Sequence, residues 1–138
     1  MEVVIEMTLP RDAESAPLVR HTLDASLRGL GVASEIREDI ALALGEACAN
    51  VIQHAESSKE YEVRAHMDGL KCVIDVIDGG GSSDAAVWKR GGRPLPVAES
   101  GRGIQLMRAF TEDLDISDRA DRNGAIVHFE KSLAAHRD

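Results

Sequence analysis

Aromatic side chains are scarce, with Phe, Trp and Tyr together making up 3% of the 138 residues. A core without aromatic bulk has to be assembled from Val, Ile, Leu and Ala. Cysteine is limited to Cys48 and Cys72, which form no zinc-like spacing with the 5 His. Cys48 falls in a helical pattern and Cys72 in a strand pattern, so both read as small buried hydrophobes. In a reducing compartment no disulfide is expected between them. No stretch is long and apolar enough to span a bilayer. The N-terminal MEVVIEMTLPRD is acidic and alternates in polarity, unlike a secretory leader. A cytoplasmic protein is expected. Positive charge is in deficit, with 16 Lys and Arg against 24 Asp and Glu and a net charge of −8. Nucleic acid and anionic membrane both demand a basic patch, so neither is the expected main partner. Also missing are internal repeats, low-complexity tracts and any Gly-Lys-Ser/Thr, which excludes a P-loop.

What is present is 43% apolar residues, enough to fold a single domain over residues 1–138. Val3, Ile5, Met7 and Leu9 alternate with Glu2, Glu6 and Thr8, the period of a half-buried strand. Val19, Leu23, Leu27 and Leu30 then form one helical stripe. Pro17 belongs in the first turn of that helix, with Ser15 or Ala16 as cap, and Gly29 and Gly31 bracket its end. A second helix starts with Ser34 as cap, carries Ile36, Ile40, Leu44, Ala47 and Val51 on its buried side, and runs to about His54 or Ala55. Residues 60–67 alternate again. Asp68-Gly69 reads as a two-residue turn, and Leu70 to Ile77 is apolar enough for the middle of a sheet. Further strands are expected near Leu114 to Ser117 and Ala125 to Glu130, joined by a turn at Asn123-Gly124. Between these hairpins lies a Gly- and Pro-containing stretch from Asp78 to Gly103, with a short helix possible at Ala85 to Lys89 and another after Gly103 running through Phe110. Loops of that length in small domains usually carry function. The order does not alternate strand with helix, which disfavours a doubly wound parallel sheet. The expectation is an α+β two-layer sandwich: a mixed, mostly antiparallel sheet of about five strands with helices on one face.

Three constellations carry chemistry. Glu46 and Asn50 are four apart on the second helix and share one face. A carboxamide oxygen there suits a hard cation such as Mg²⁺, and a carboxylate suits a hydroxyl proton. Asp78, followed by Gly79, Gly80 and Gly81, closes the apolar strand, where an acid can accept a bond from an exocyclic amine and glycine permits close backbone approach. Ser100-Gly101-Arg102-Gly103 precedes a helix, whose free N–H groups suit phosphate. Taken singly, each also describes a surface pair or a turn.

Their order and spacing together resemble the Bergerat, or GHKL, ATP-binding fold of histidine kinases, Hsp90-type chaperones and gyrase-type topoisomerases. The stand-alone form looks like the bacterial anti-sigma factor/serine-protein kinase family, most specifically in ALGEACANVIQHA and ESGRGIQLMRAF. The resemblance implies ATP and Mg²⁺ as cofactors, Glu46 as catalytic acid/base and Asn50 as the Mg²⁺ ligand. It implies Asp78 with Gly80 at adenine, Gly101, Arg102 and Gly103 at phosphate, and Ser82 to Ser100 as an ATP lid. It further implies a homodimer that phosphorylates Ser or Thr on a small antagonist and sequesters a sigma factor. Two positions depart from the family pattern: Ser82 stands where a glycine is frequent, and Ala125 where a threonine often lies near adenine. They keep open a nucleotide-binding module without kinase activity; a switch kinase acting on a signalling scaffold is the other alternative. Arg20 lies off the apolar stripe of the first helix with Asp24 nearby and is expected to face solvent, either as a solvated helix charge or, as the resemblance implies for the first helix, as a contact to a protein partner. Trp88 in the lid is either an anchor or local packing, and His54 reads as structural.

Overall fold

The computed structural model describes residues 1–54, 59–78, 110–118 and 125–133. The elements are β1 (Val3–Pro10), α1 (Ser15–Gly29), α2 (Ser34–His54), β2 (Glu60–Met67), β3 (Lys71–Asp78), β4 (Asp113–Asp118) and β5 (Ala125–Ser132). The strands form a five-stranded sheet in the order β1-β2-β3-β5-β4. All four pairings are antiparallel, so the mixed character expected from the sequence is not found among the described residues. β3 occupies the centre, as its apolar run requires, because a central strand has neighbours on both edges and little contact with water.

Alternation decides which face is covered. Tyr61, Val63, Ala65 and Met67 of β2 are buried together with Cys72, Ile74 and Val76 of β3 and Val127 and Phe129 of β5. They meet Val19, Leu23 and Leu27 of α1 and Ile40, Leu44, Ala47 and Val51 of α2 in one core cluster. Leu30 and Ile36, the ends of the two predicted stripes, are only partly buried against it. The layer is aliphatic, and Tyr61 and Phe129 supply its largest buried side chains. On the other face stand Glu62, Arg64, His66, Asp75, His128 and Glu130, one residue out of phase with the core rows.

Local chemistry differs from expectation at three places. Ser34, expected as the cap of α2, is its first residue, and the Ala33 carbonyl accepts Ile36 N–H and Arg37 N–H, both at 3.1 Å. The cap of α1 comes from neither Ser15 nor Ala16. Asp12 accepts the N–H groups of Glu14 and Ser15 on Oδ1, both at 3.1 Å. This frees Ser15, which is 4% exposed, for a tertiary contact. In the β2–β3 hairpin, Asp68 N–H bonds the Lys71 carbonyl at 3.1 Å, so Gly69 and Leu70 are the central turn residues, not Asp68 and Gly69. The Asp68 carboxylate accepts Leu70 N–H at 2.7 Å and Lys71 N–H at 3.0 Å, building the turn from its side chain. Among the described residues, the glycine at positive φ is Gly31, at 81°, just beyond α1.

Long side chains fasten the layers. Arg11 Nη2 donates to the Ile52 carbonyl at 3.1 Å in the last turn of α2, where helix carbonyls need partners from outside the helix. Lys131 of β5 reaches Asp39 of α2 at 3.2 Å. Asp24 of α1 binds Arg37 of α2 at 3.1 Å and Arg28 on its own helix at 3.1 Å.

Candidate functional site

The site is built where α2 crosses the ends of β2 and β3. Tyr61 stands directly opposite Asp78 in the β2–β3 register. Opposed residues of an antiparallel pair project to the same face, so Asp78 continues the row of Cys72, Ile74 and Val76 under the helices. It is 0% exposed, a carboxylate closing an apolar row. Tyr61 in turn bonds Cys48 of α2. Cys48 lies between Glu46 and Asn50 in the chain, so that contact seats this turn of α2 over the sheet end that carries Asp78.

Within the turn, Ala47 and Val51 are fully buried and anchor the helix. Asn50 is 5% exposed, yet its Nδ2 has no hydrogen-bond partner among the described residues. A buried amide that leaves a donor unused is costly, which marks the position as one shaped for something besides packing. Glu46, one turn earlier, is half-buried. A carboxylate able to take a proton, a carboxamide able to present its oxygen to a metal, and a second carboxylate sealed at the strand end form a donor set that fits an adenine nucleotide with Mg²⁺.

A polar chain that sequence reasoning missed supports this turn. Ser15 Oγ donates to the Asp12 carbonyl at 2.8 Å and lies 2.6 Å from Tyr61 Oη. Each hydroxyl or thiol has one proton. With the Ser15 proton committed to the Asp12 carbonyl, the Tyr61 hydroxyl donates to Ser15, and the Cys48 thiol lies against the same hydroxyl. Burial pushes the Cys48 thiol up to about 12 and the Tyr61 hydroxyl above its ordinary range, so both stay protonated and the chain holds. The signal was a tyrosine at a core position of β2, because a buried phenol hydroxyl needs a partner. Cys48 and Cys72 are free and buried as read, and Cys72 is likewise raised to about 12 by burial.

Arg20 is exposed, as expected, but its side chain also lies across α2. A methyl group added at Gly45 would sit 3.7 Å from Arg20 Nη1 and 3.9 Å from its Cδ. The side chain therefore covers the residue immediately before Glu46. Its expected neighbour Asp24 is engaged by Arg28 and Arg37 instead. Ala125 heads β5 opposite Asp118. Gly80, Ser82, Trp88, Gly101, Arg102, Gly103, the expected lid, the helices at 85–89 and after Gly103, the Asn123-Gly124 turn and the side chain of His54 lie outside the described residues.

The family model described as "Histidine kinase-like ATPase domain" matches residues 9–131, which span α1, α2, β2, β3 and β4 whole, the end of β1 and β5 up to Lys131. A protein of Bacillus thuringiensis strain Al Hakam named "Serine-protein kinase RsbW" is 32% identical over 122 residues, covering 81% of this chain and 76% of the relative. Its namesake from Bacillus pumilus is 29% identical over 138 residues, covering 91% and 85%. The crystal structure of the RsbU and RsbW domains of a Mycobacterium tuberculosis protein superposes with a TM-score of 0.70 at 19% identity. That likeness covers 98% of this chain and 34% of the other, and it carries the fold alone. The α+β sheet with its helical cover, the matched domain and the similarity to these kinases together place the chain in the histidine kinase-like ATPase domain family, among relatives of the RsbW serine-protein kinases.

Proposed function

We propose that this chain is an ATP-dependent serine/threonine protein kinase acting on a small anti-sigma antagonist, and that it sequesters a sigma factor in a competing complex. The observation that carries the reading is Asn50: 5% exposed, with an Nδ2 that has no partner among the described residues, and one helical turn from the half-buried Glu46 on the helix whose Cys48 meets Tyr61 opposite Asp78. ATP supplies the phosphoryl group and Mg²⁺ neutralises charge on its phosphates. Asn50 turns its amide oxygen toward the metal. Asp78 accepts a hydrogen bond from the exocyclic amine of adenine, with Gly80 beside it, and Gly101, Arg102 and Gly103 receive the phosphates. Glu46 orients the attacking hydroxyl and takes its proton. Burial around Asp78 and Asn50 excludes water from these contacts and strengthens them.

Arg20 is assigned to the partner surface, because the residue is exposed while its side chain lies over Gly45 beside the site. The domain is read as one unit over 1–138 with a lid at 82–100, and as a cytoplasmic homodimer with no nucleic-acid or membrane surface. Among the described residues no helix is long and apolar enough to cross a membrane.

The test is transfer of label from radiolabelled ATP to a candidate antagonist by the wild type, Glu46→Ala and Asn50→Ala. Loss of transfer in both variants supports the assigned roles, and unchanged transfer in both removes them. The departures Ser82 and Ala125 favour a second reading, a nucleotide-binding module that acts by sequestration. It takes precedence if the wild type binds ATP but labels no co-encoded partner.

A further inference from the structure

The sheet face away from the helices holds a cluster that the kinase reading does not use. Asp75 lies between Ile74 and Val76, which face the core, so its side chain projects to the opposite face. It stands opposite His128 of β5, and His128 stands opposite Asp115 of β4. Glu130, two residues on, stands opposite Asp113. His128 Nδ1 lies 2.8 Å from Asp75 Oδ1, and Nε2 lies 3.1 Å from Glu130 Oε2. Ligand-type atoms of Asp113, His128 and Glu130 lie within 4.8 Å of one another.

The arrangement poses a question of charge. A neutral imidazole has one N–H, and the closer carboxylate, Asp75, takes it at Nδ1. The Nε2 lone pair then faces a carboxylate oxygen at 3.1 Å, acceptor against acceptor. A positive charge has to lie between them, either a second ring proton or a metal ion. A ring proton answers Glu130, which Lys71 Nζ also approaches at 3.5 Å, and leaves the exposed Asp113 carboxylate, within 4.8 Å of both other donor atoms, without a cation. An ion about 2.0–2.2 Å from each donor answers all three. Donors around such an ion stand roughly 3.5 Å apart, so closure needs only a small swing of the exposed Asp113.

We propose that Asp113, His128 and Glu130 form a binding site for a first-row divalent transition ion of the Zn²⁺ type. The donor set chooses the ion: an imidazole nitrogen with two carboxylates suits Zn²⁺ or Co²⁺ over Mg²⁺ and Ca²⁺, which prefer oxygen alone. Asp75 is a positioning residue. By holding Nδ1–H it fixes the tautomer that points the Nε2 lone pair at the ion. Adjacent paired strands hold the three ligands in register, and the exposure of Asp113 leaves room for water to complete the shell. The site lies on the other side of the sheet from Asn50 and does not depend on the nucleotide reading.

The experiment titrates the chelator-stripped, nucleotide-free full chain with Zn²⁺ by calorimetry and with Co²⁺ by visible absorption. The expected result is one ion per chain, with Co²⁺ bands of low coordination number that excess Mg²⁺ does not remove. Asp113→Asn, an exposed substitution that spares the core, weakens binding at least tenfold, and His128→Gln abolishes it. Asp75→Asn weakens it about tenfold while the Co²⁺ bands persist. Far-UV circular dichroism checks the fold of each variant. Absence of binding means that a ring proton fills the gap, and it overturns the proposal. So does binding that survives both Asp113→Asn and His128→Gln.

Discussion

Ser15 Oγ and Tyr61 Oη meet at 2.6 Å across 46 positions of sequence, tying the start of α1 to the start of strand β2. The contact is the middle link of a buried chain from the Asp12 carbonyl to the Cys48 thiol, directly beneath the turn of α2 that carries Glu46 and Asn50.

That chain behaves as a unit. Tyr61→Phe removes its centre and leaves the Ser15 oxygen and Cys48 thiol without their partner, at a cost of about 1–3 kcal/mol. Ser15→Ala costs about 1 kcal/mol on the same grounds. The double variant loses less than the sum, because the second deletion removes a group already stranded. Urea unfolding of the four proteins measures the coupling, and strict additivity would show that the links act separately.

The two thiols resist alkylation in the folded protein. With both raised to about 12 by burial, the reactive thiolate is negligible near pH 8, and neither sulfur meets solvent. Labelling at that pH therefore follows unfolding and rises with urea. Rapid labelling of native protein, located by mass spectrometry at Cys48 or Cys72, would contradict the packing.

Asp68 gives the β2–β3 turn a pH dependence. Its carboxyl is held below the ordinary 3.8, first by the backbone N–H of Lys71 and next by that of Leu70. A depressed value favours the charged form in the folded state, so the stabilisation is complete above 3.8 and is lost as pH falls through the folded value. The stability gap between wild type and Asp68→Ala is thus flat near neutrality and narrows in acid. A gap that widens below pH 4 would reverse the sign.

Gly45→Ala stabilises. The helix interior gains by replacing glycine, by about 0.5–1 kcal/mol. The new methyl meets Arg20 only at ordinary contact distance, 3.7 Å. Thermal melting of the nucleotide-free chain checks this, and a lowered melting temperature would mean that the Arg20 stem needs the bare backbone.

On the proposed roles, binding and transfer separate at Glu46. Glu46→Gln keeps the ATP-dependent rise in melting temperature while transfer falls on the order of 10²–10⁴-fold, the usual worth of a positioned base. Asp78→Asn does the reverse, reducing the thermal shift first. Parallel melting and label-transfer assays distinguish the two, and equal loss of both signals in Glu46→Gln would mean that the residue serves binding.

Much of this molecule is written locally. Period-two runs predicted β1 and β2 and a continuous apolar run predicted β3, the stripes Val19-Leu23-Leu27 and Ile40-Leu44-Ala47-Val51 predicted the buried helix faces, and the position of Asp78 at the end of that apolar run placed an acid at a strand terminus. Side chains two, three or four apart share a face whatever the rest of the chain does, so these features need only short-range geometry. Asp12 as the carboxylate that holds the start of α1, and Gly69-Leu70 as the turn centre, were missed because a short carboxylate can serve any nearby N–H and spacing does not say which.

Only the tertiary structure decided which distant groups meet. The registers that set Tyr61 against Asp78 and His128 against Asp75, and the packing that lays Arg20 on Gly45 and Tyr61 on Ser15 and Cys48, depend on strand pairing and helix docking together. A shift of one residue in either strand pair would turn those side chains to the opposite face, and no pattern within a single element records that choice.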